Sequence, residues 1–139
     1  MFIVWIKSWV NISKRECVEM DKTMSINDLQ ETIKKFCEER DWDQFHNPKD
    51  LAIGISTEAN ELLDIFRFKS EEEMKAQFQE ESIRTHIEEE VADVLFFVLR
   101  FAQMNNINLE KCIEDKLRKN AKKYPVEKIK GKNLKYTEL

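Results

Sequence analysis

A chain of 139 residues with 42% hydrophobic content is long enough to bury a core as one globular domain. Two glycines and two prolines leave little material for hairpin turns, which favours an all-α fold over a β-rich one. The net charge of −4 excludes a broad basic surface of the kind that binds nucleic acid polymers, although a metal ion could still link an acidic protein to a nucleotide.

Residues 1–19 do not share the helical periodicity of the rest of the chain. Their apolar stretch has no basic residue before it and is interrupted by Lys7, so it predicts neither a signal peptide nor a membrane span. We therefore expect an N-terminal extension over 1–19, outside a helical domain that covers 20–139 and makes no contact with a membrane. The three cysteines are far apart and form no CxxC pair, which is typical of reduced thiols in a cytoplasmic protein.

Helix start signals divide the domain into a bundle of four to five helices. Each signal is a polar residue that can accept a hydrogen bond from the first helical turn. These residues are Ser25 in capping-box spacing with Asp28, Asn47 before Pro48, Ser70 before three glutamates, and Asn108. The predicted helices cover about 25–40, 48–68, 70–79 (a short helix or a linker), 80–105 and 109–122, with a loop at 41–47 and an irregular tail from about 125.

The two longest predicted helices carry carboxylates within their apolar stripes. Glu58 and Glu61 lie on the first helix, and Glu90 and Asp93 lie on the second. Since residues three apart share one side of a helix, each pair is directed toward the side that its helix should bury. The stripes themselves are formed by Leu51, Ile55, Ala59, Leu62 and Phe66, and by Ile83, Ile87, Val91, Val94 and Val98.

Four inward carboxylates require a counter-charge, because an unpaired carboxylate in a dry core costs several kcal/mol. Hard divalent cations prefer oxygen ligands, so the pattern predicts a Mg²⁺ site between the two helices, with Mn²⁺ as a substitute. A single ExxE pair is more often a solvated helix face, and it is the repetition on two helices that favours a metal. A carboxylate-bridged di-iron site would need Glu-x-x-His, but Ile83 stands three residues before His86.

These residues resemble a known family. Glu58-x-x-Glu61, followed about thirty residues later by Glu90-x-x-Asp93, is similar to the signature of the MazG-like all-α nucleoside triphosphate pyrophosphatases, and above all to their dCTP pyrophosphatase branch. The resemblance covers about residues 24–139. It also includes the segments ERDWDQFHNPKDL (39–51), IFRFK (65–69), EEVADVL (89–95), NAKKYP (120–125) and KYTEL (135–139).

The resemblance implies a Mg²⁺-dependent hydrolase that cleaves a nucleoside triphosphate between the α and β phosphates. The products would be the monophosphate and pyrophosphate, and the role would be removal of unwanted nucleotides from the pool. Glu58, Glu61, Glu90 and Asp93 match the family's metal ligands. Because a carboxylate with a free oxygen can accept the proton of the attacking water, we assign the catalytic role to Glu61.

The resemblance also implies substrate contacts. Lysines in the last predicted helix and directly after it would offer positive charge to the phosphates, although a basic helix end also complements its own dipole. A loop tryptophan would stack on the base, although such a ring also anchors loops by packing. The residues assigned in this way are Trp42, His46, Phe68, Lys116, Asn120, Lys123 and Tyr124.

Three positions depart from the pattern of the family. Phe68 stands where dCTP-specific members carry Trp, Ile33 occupies a site that can be His, and Asn60 replaces a glycine between the two glutamates. These changes bear on base preference and leave the carboxylates unaffected.

The resemblance further implies a dimer, or a dimer of dimers, with pockets at the subunit boundaries. The run from Val91 to Met104 agrees, because it is apolar on nearly all sides and one small bundle could hardly cover it. The alternative is a non-catalytic helical oligomerisation or interaction module. In that module the inward carboxylates would pair with basic side chains of a partner.

Overall fold

The computed structural model describes residues 24–138, so the expected extension over 1–19 lies outside the described residues. The described part of the chain contains helices and turns and no strand, which confirms the all-α prediction. The helices are α1 (Ile26–Glu38), α2 (Pro48–Phe66), α3 (Glu71–Gln77), α4 (Glu81–Met104), α5 (Leu109–Lys123) and α6 (Val126–Ile129), with 3-10 turns at Asp43–Phe45 and Tyr136–Glu138.

The predicted start signals are confirmed as N-caps. Ser25 and Asp28 form a complete capping box, in which the Asp28 backbone N–H donates to Ser25 Oγ at 3.1 Å and the Ser25 N–H donates to Asp28 Oδ2 at 2.9 Å. Side-chain oxygens of Asn47, Ser70 and Asn108 accept in the same way from the first turns of α2, α3 and α5. These boundaries form as predicted because each depends on residues only three positions apart.

Two predicted helix ends and the predicted irregular tail need correction. Helix α1 ends at Glu38 instead of Arg40, and α2 ends at Phe66 instead of Phe68. The backbone after Phe66 is extended at Arg67 and has a φ of 60° at Phe68, which no helix can accommodate. The tail is not wholly irregular, since α6 follows Pro125 as one helical turn.

Helices α2 and α4 run antiparallel and form the centre of the molecule, with α1 packed on α4. Gly54 of α2 faces Phe97 of α4 so closely that a Cβ at Gly54 would lie 2.5 Å from the ring. The absence of a side chain at this position therefore sets how near the two helices come. The buried apolar residues are Cys37, Leu51, Ile87, Leu99 and Ala102.

Two residues of the predicted stripes are exposed to solvent. Ala59 is exposed and Val91 is 49% exposed, because α2 and α4 cover each other on the adjacent side of each helix, where Glu58 and Glu90 lie. Further large apolar side chains remain exposed on α2, α4 and α5: Ile53, Leu63, Leu95, Ile113 and Leu117. Within the described residues, no helix combines the length and the hydropathy needed to cross a bilayer.

Candidate metal and nucleotide site

Three of the predicted carboxylates meet where α2 crosses the first half of α4. One oxygen each of Glu58, Glu90 and Asp93 lies within 4.8 Å of the other two. Glu58 is 1% exposed and Glu90 is 6% exposed. Both oxygens of Glu58 and Oε2 of Glu90 have no hydrogen-bond partner. Because buried carboxylates are normally paired, this carboxylate cluster has the chemistry of a cation site.

The electrostatics of the carboxylate cluster agree with this. Burial, together with the neighbouring charges of Asp93, Glu61 and Glu90, raises the pKa of Glu58 to about 7. Burial and Glu61 also raise the pKa of Glu90, while burial, Glu89 and Glu61 raise that of Asp93. The three carboxyl groups thus resist sharing one space as anions, and a divalent cation would remove that conflict. The donor set consists of oxygen alone, which fits Mg²⁺ or Mn²⁺.

Glu61, the fourth predicted ligand, lies at the rim of the carboxylate cluster. Its side chain is exposed and is not part of the group of three, although its charge acts on all three. A position three residues along a helix is turned away from the first by about 60°, which separates Glu61 from Glu58. The structure leaves Glu61 accessible from an open cavity.

That cavity has a volume of about 630 Å³ and lies beside the carboxylate cluster. Helix α3 helps to form it: Gln77 Nε2 donates to the Ile65 carbonyl at 2.9 Å, and Phe78 stacks on Phe66 with ring centres 5.9 Å apart. The lining residues are Glu61, Asp64, Ile65, Gln77, Ile83 and His86.

His86 is one residue that the sequence did not assign to the site. Its Nδ1 lies 3.4 Å from Glu90 Oε1, one helical turn away on α4. The i,i+4 spacing between His86 and Glu90 was the available signal, but it is common on helices and says little by itself. His86 therefore connects the lining of the cavity with the carboxylate cluster.

Trp42 and His46, two predicted nucleotide-binding residues, flank the 3-10 turn before α2. Trp42 packs edge-on against Phe36 and His46, with ring centres 5.7 and 6.3 Å apart. Arg100 of α4 is completely buried beneath this turn and donates from Nε to His46 Nδ1 at 3.0 Å. It also contacts the Asp43 carboxylate and the Gln103 side chain.

In the sequence, Arg100 looks only like an interruption of an apolar run. Its partners Asp43 and His46 lie 57 and 54 positions earlier in the chain, so no local pattern could reveal them. Burial and the charge of Arg100 lower the pKa of His46.

The other two groups of predicted substrate residues lie elsewhere. Phe68 follows the last residue of α2, whereas Trp42 precedes the first, and a 19-residue helix spans about 28 Å. We therefore do not expect Trp42 and Phe68 of one chain to stack on the same base. Phe68 is 91% exposed, and the Arg67 guanidinium lies 4.8 Å from its ring centre.

Two of the residues predicted at the end of α5, Lys123 and Tyr124, lie against the C-terminal turn. Lys123 Nζ lies 4.8 Å from the ring centre of Tyr136, and Tyr124 packs edge-on against the same ring at 6.1 Å. Lys116 is exposed and Asn120 is half-buried. Within residues 24–138, no hydrogen bond or ion pair connects these side chains to the carboxylate cluster.

Comparison with known proteins identifies the family. The model of the MazG-like family matches residues 53–139. dCTP pyrophosphatase 1 of Rattus norvegicus is 32% identical over 115 residues, which is 83% of this chain and 68% of that protein. The Homo sapiens protein of the same name is 30% identical with the same coverage. A crystal structure of a pyrophosphatase from Archaeoglobus fulgidus superimposes with a TM-score of 0.68 at 33% identity, covering 75% of this chain and 95% of that one. The resemblance seen in the sequence is confirmed, and the chain belongs to the MazG-like family.

Proposed function

We propose that this protein, a nucleoside triphosphate pyrophosphatase, uses Mg²⁺ to hydrolyse a deoxynucleoside triphosphate such as dCTP to the monophosphate and pyrophosphate. The observation that carries the proposal is the unpaired, buried Glu58, held within 4.8 Å of carboxylate oxygens of Glu90 and Asp93. Mn²⁺ could replace Mg²⁺, since both prefer oxygen ligands. Removal of unwanted nucleotides from the pool would be the physiological role.

The carboxylates have two roles in this proposal. Glu58, Glu90 and Asp93 would hold the metal, and Glu61 at the rim of the carboxylate cluster would be the fourth ligand. The metal would neutralise phosphate charge and favour deprotonation of a water molecule. Glu61 faces the open cavity and accepts the proton of the attacking water. His86, whose Nδ1 lies 3.4 Å from Glu90 Oε1, would help to hold that carboxylate in place.

The preference for dCTP is supported by the names of the curated relatives, which are dCTP pyrophosphatases. Trp42 would stack on the base, with His46 beside it as a hydrogen-bonding group. Lys116, Asn120, Lys123 and Tyr124 would contact the phosphates. Phe68, which stands in place of a tryptophan, would tune the choice of base.

A second copy of the chain would complete the site. Trp42 and Phe68 lie beyond opposite ends of α2, a helix about 28 Å long, and would enclose one base only if they came from different chains. Exposed apolar side chains on α2, α4 and α5 offer a surface that a partner would cover. We therefore propose a homodimer, or a dimer of such dimers.

Measurement of pyrophosphate release from a panel of nucleoside triphosphates, with Mg²⁺ and with chelator, tests the function. The proposal predicts release that requires Mg²⁺ and is fastest with dCTP. No release from any common NTP or dNTP would contradict it. That result would favour the alternative, a helical interaction module whose carboxylates pair with a basic partner.

A further inference from the structure

We propose that Arg100 is a positioning residue that presents His46 to the nucleoside as a hydrogen-bond donor. This inference rests on the proposed function, because it assigns the nucleoside end of the substrate to the turn that carries Trp42 and His46. The ligand is an acceptor atom of the nucleoside, such as a base carbonyl oxygen, a ring nitrogen or a sugar oxygen.

Arg100 holds both sides of the 3-10 turn from inside the protein. Its guanidinium contacts Asp43, the first residue of the turn, and His46, the residue that follows it. Two backbone hydrogen bonds close the turn. The Phe45 N–H donates to the Trp42 carbonyl at 2.9 Å, and the His46 N–H donates to the Asp43 carbonyl at 3.1 Å. The turn is therefore fixed to α4 by a planar, rigid group with several donors.

The hydrogen bond to His46 selects one form of the imidazole. An arginine Nε carries a hydrogen at any physiological pH and can only donate, so His46 Nδ1 must be the acceptor. The proton of the neutral ring then resides on Nε2. The lowered pKa of His46 favours the same neutral form. His46 is half-buried, and no residue of the described chain bonds to Nε2, which leaves its N–H available to a ligand.

The location suits the nucleoside end of the substrate. Arg100 lies ten residues after Glu90 on the continuous helix α4, which places it about 15 Å from the carboxylate cluster. This separation allows the carboxylate cluster to hold the phosphates while the turn holds the nucleoside. The donor stands beside Trp42, whose ring centre lies 6.3 Å from that of His46, so a base stacked on Trp42 would have the donor within reach.

Packing alone does not explain the choice of arginine. A buried guanidinium carries a large desolvation cost, and an apolar side chain of similar volume is often as stable or more so. The only carboxylate that contacts Arg100 within residues 24–138 is Asp43, which is itself 45% exposed. The arginine is therefore suited to orient its partners rather than to fill space.

Arg100→Met tests the proposal, with Arg84→Met as the matched control. Arg84 is also on α4 and is also paired, with Glu88 at 2.9 Å, but it is exposed. Two readouts are needed: the kinetics of dCTP hydrolysis, and ¹⁵N-detected NMR of the imidazoles. The chain has only two histidines, so a His46→Asn variant assigns the spectrum.

The wild-type spectrum should show His46 with Nδ1 unprotonated and Nε2 protonated, whereas Arg100→Met should show a mixture of both tautomers. The KM for dCTP should rise roughly tenfold in Arg100→Met, as expected for one lost hydrogen bond in a binding site. The kcat should stay within about twofold, because the metal ligands are untouched. Arg100→Lys should fail to restore KM, since a lysine cannot hold Asp43 and His46 in the same plane. Arg84→Met should behave as wild type.

A wild-type His46 protonated at Nδ1 would overturn the proposal, and so would an unchanged KM in Arg100→Met. If Arg100→Met does not fold, Asp43→Ala takes its place, because this side chain is partly exposed. It should raise KM in the same direction, and an unchanged KM would again contradict the proposal. Absence of turnover in the wild type would defeat the proposed function alone, since the tautomer of His46 is measured without substrate.

Discussion

Helix α4 carries two sets of charged side chains inside the protein, and they differ in whether other residues of the chain pair with them. Toward its N-terminal half, Glu90 and Asp93 meet Glu58 of α2, and three of the buried oxygens have no partner. Toward its C-terminal end, Arg100 is buried as completely, but its donors bond to His46, Asp43 and Gln103. The difference agrees with the proposal that the carboxylate cluster would take up a cation from solution. The arginine end is already paired within the protein itself.

The largest expected effect is on turnover. Asp93→Asn and Glu61→Gln should each lower kcat/KM for dCTP by roughly a hundred- to a thousandfold, because several kcal/mol of charge stabilisation is lost with a metal ligand. Both variants should fold, since repulsion among the carboxylates falls. Glu88→Gln, an exposed position of α4, is the control and should remain active. Full activity in Asp93→Asn would place the metal elsewhere.

The next effect concerns thermal stability and Mg²⁺. Saturating Mg²⁺ should raise the melting temperature of the wild type by roughly 5–10 °C, as expected for an ion that binds only the folded state. Glu58→Gln removes a buried charge that has no partner, so without metal it should melt at least as high as the wild type and respond little to Mg²⁺. A wild-type melt that ignores Mg²⁺ would indicate that the carboxylates serve only the structure.

Gly54 lies between the carboxylate cluster and Arg100. A substitution at this position tests the spacing of α2 and α4. Gly54→Ala should lower the free energy of unfolding by about 1–2 kcal/mol, because the new Cβ would lie 2.5 Å from the Phe97 ring. This loss would occur although alanine is the better helix former by about 1 kcal/mol. Ala59→Gly, at an exposed position of α2, calibrates that propensity. Urea titration measures both variants, and a stabilised Gly54→Ala would mean that the helices lie further apart.

The smallest expected effect is a pH dependence of the metal-free protein. The pKa of Glu58 rises from 4.5 to about 7 on folding, so the folded state binds more protons than the unfolded state between these values. The stability that Glu58 contributes is therefore greatest at low pH and falls as the pH rises toward 7. Wild type and Glu58→Gln should differ by a few degrees in melting temperature over this range, the wild type falling more steeply. Parallel curves for the two would contradict the burial of Glu58.

The sequence predicted those features that depend on near neighbours. The caps Ser25, Asn47 and Ser70 each act over three residues, and their helices begin where expected. The positions of Glu58 and Glu90 against the helical period revealed the carboxylate cluster for the same reason. Predicted helix ends were less accurate, because the left-handed backbone at Phe68 has no local signature.

Long-range features could not be predicted in this way. The burial of Arg100 depends on partners in a turn more than fifty residues earlier, and the exposure of Val91 depends on which helices neighbour α4. The separation of Trp42 and Phe68 follows from the length of α2, once its ends are known. Both residues could be named from a family pattern, but only the structure shows that they lie at opposite ends of one helix.

The metal site is tested most directly by titration of the nucleotide-free protein with Mn²⁺, followed by electron paramagnetic resonance of the free ion. The wild type is predicted to bind Mn²⁺, and Mg²⁺ should displace it. Glu58→Gln and Asp93→Asn should both lose this binding, whereas Glu88→Gln should retain it. Equal uptake of Mn²⁺ by Glu58→Gln and the wild type would contradict the claim that the unpaired carboxylates between α2 and α4 form the metal site.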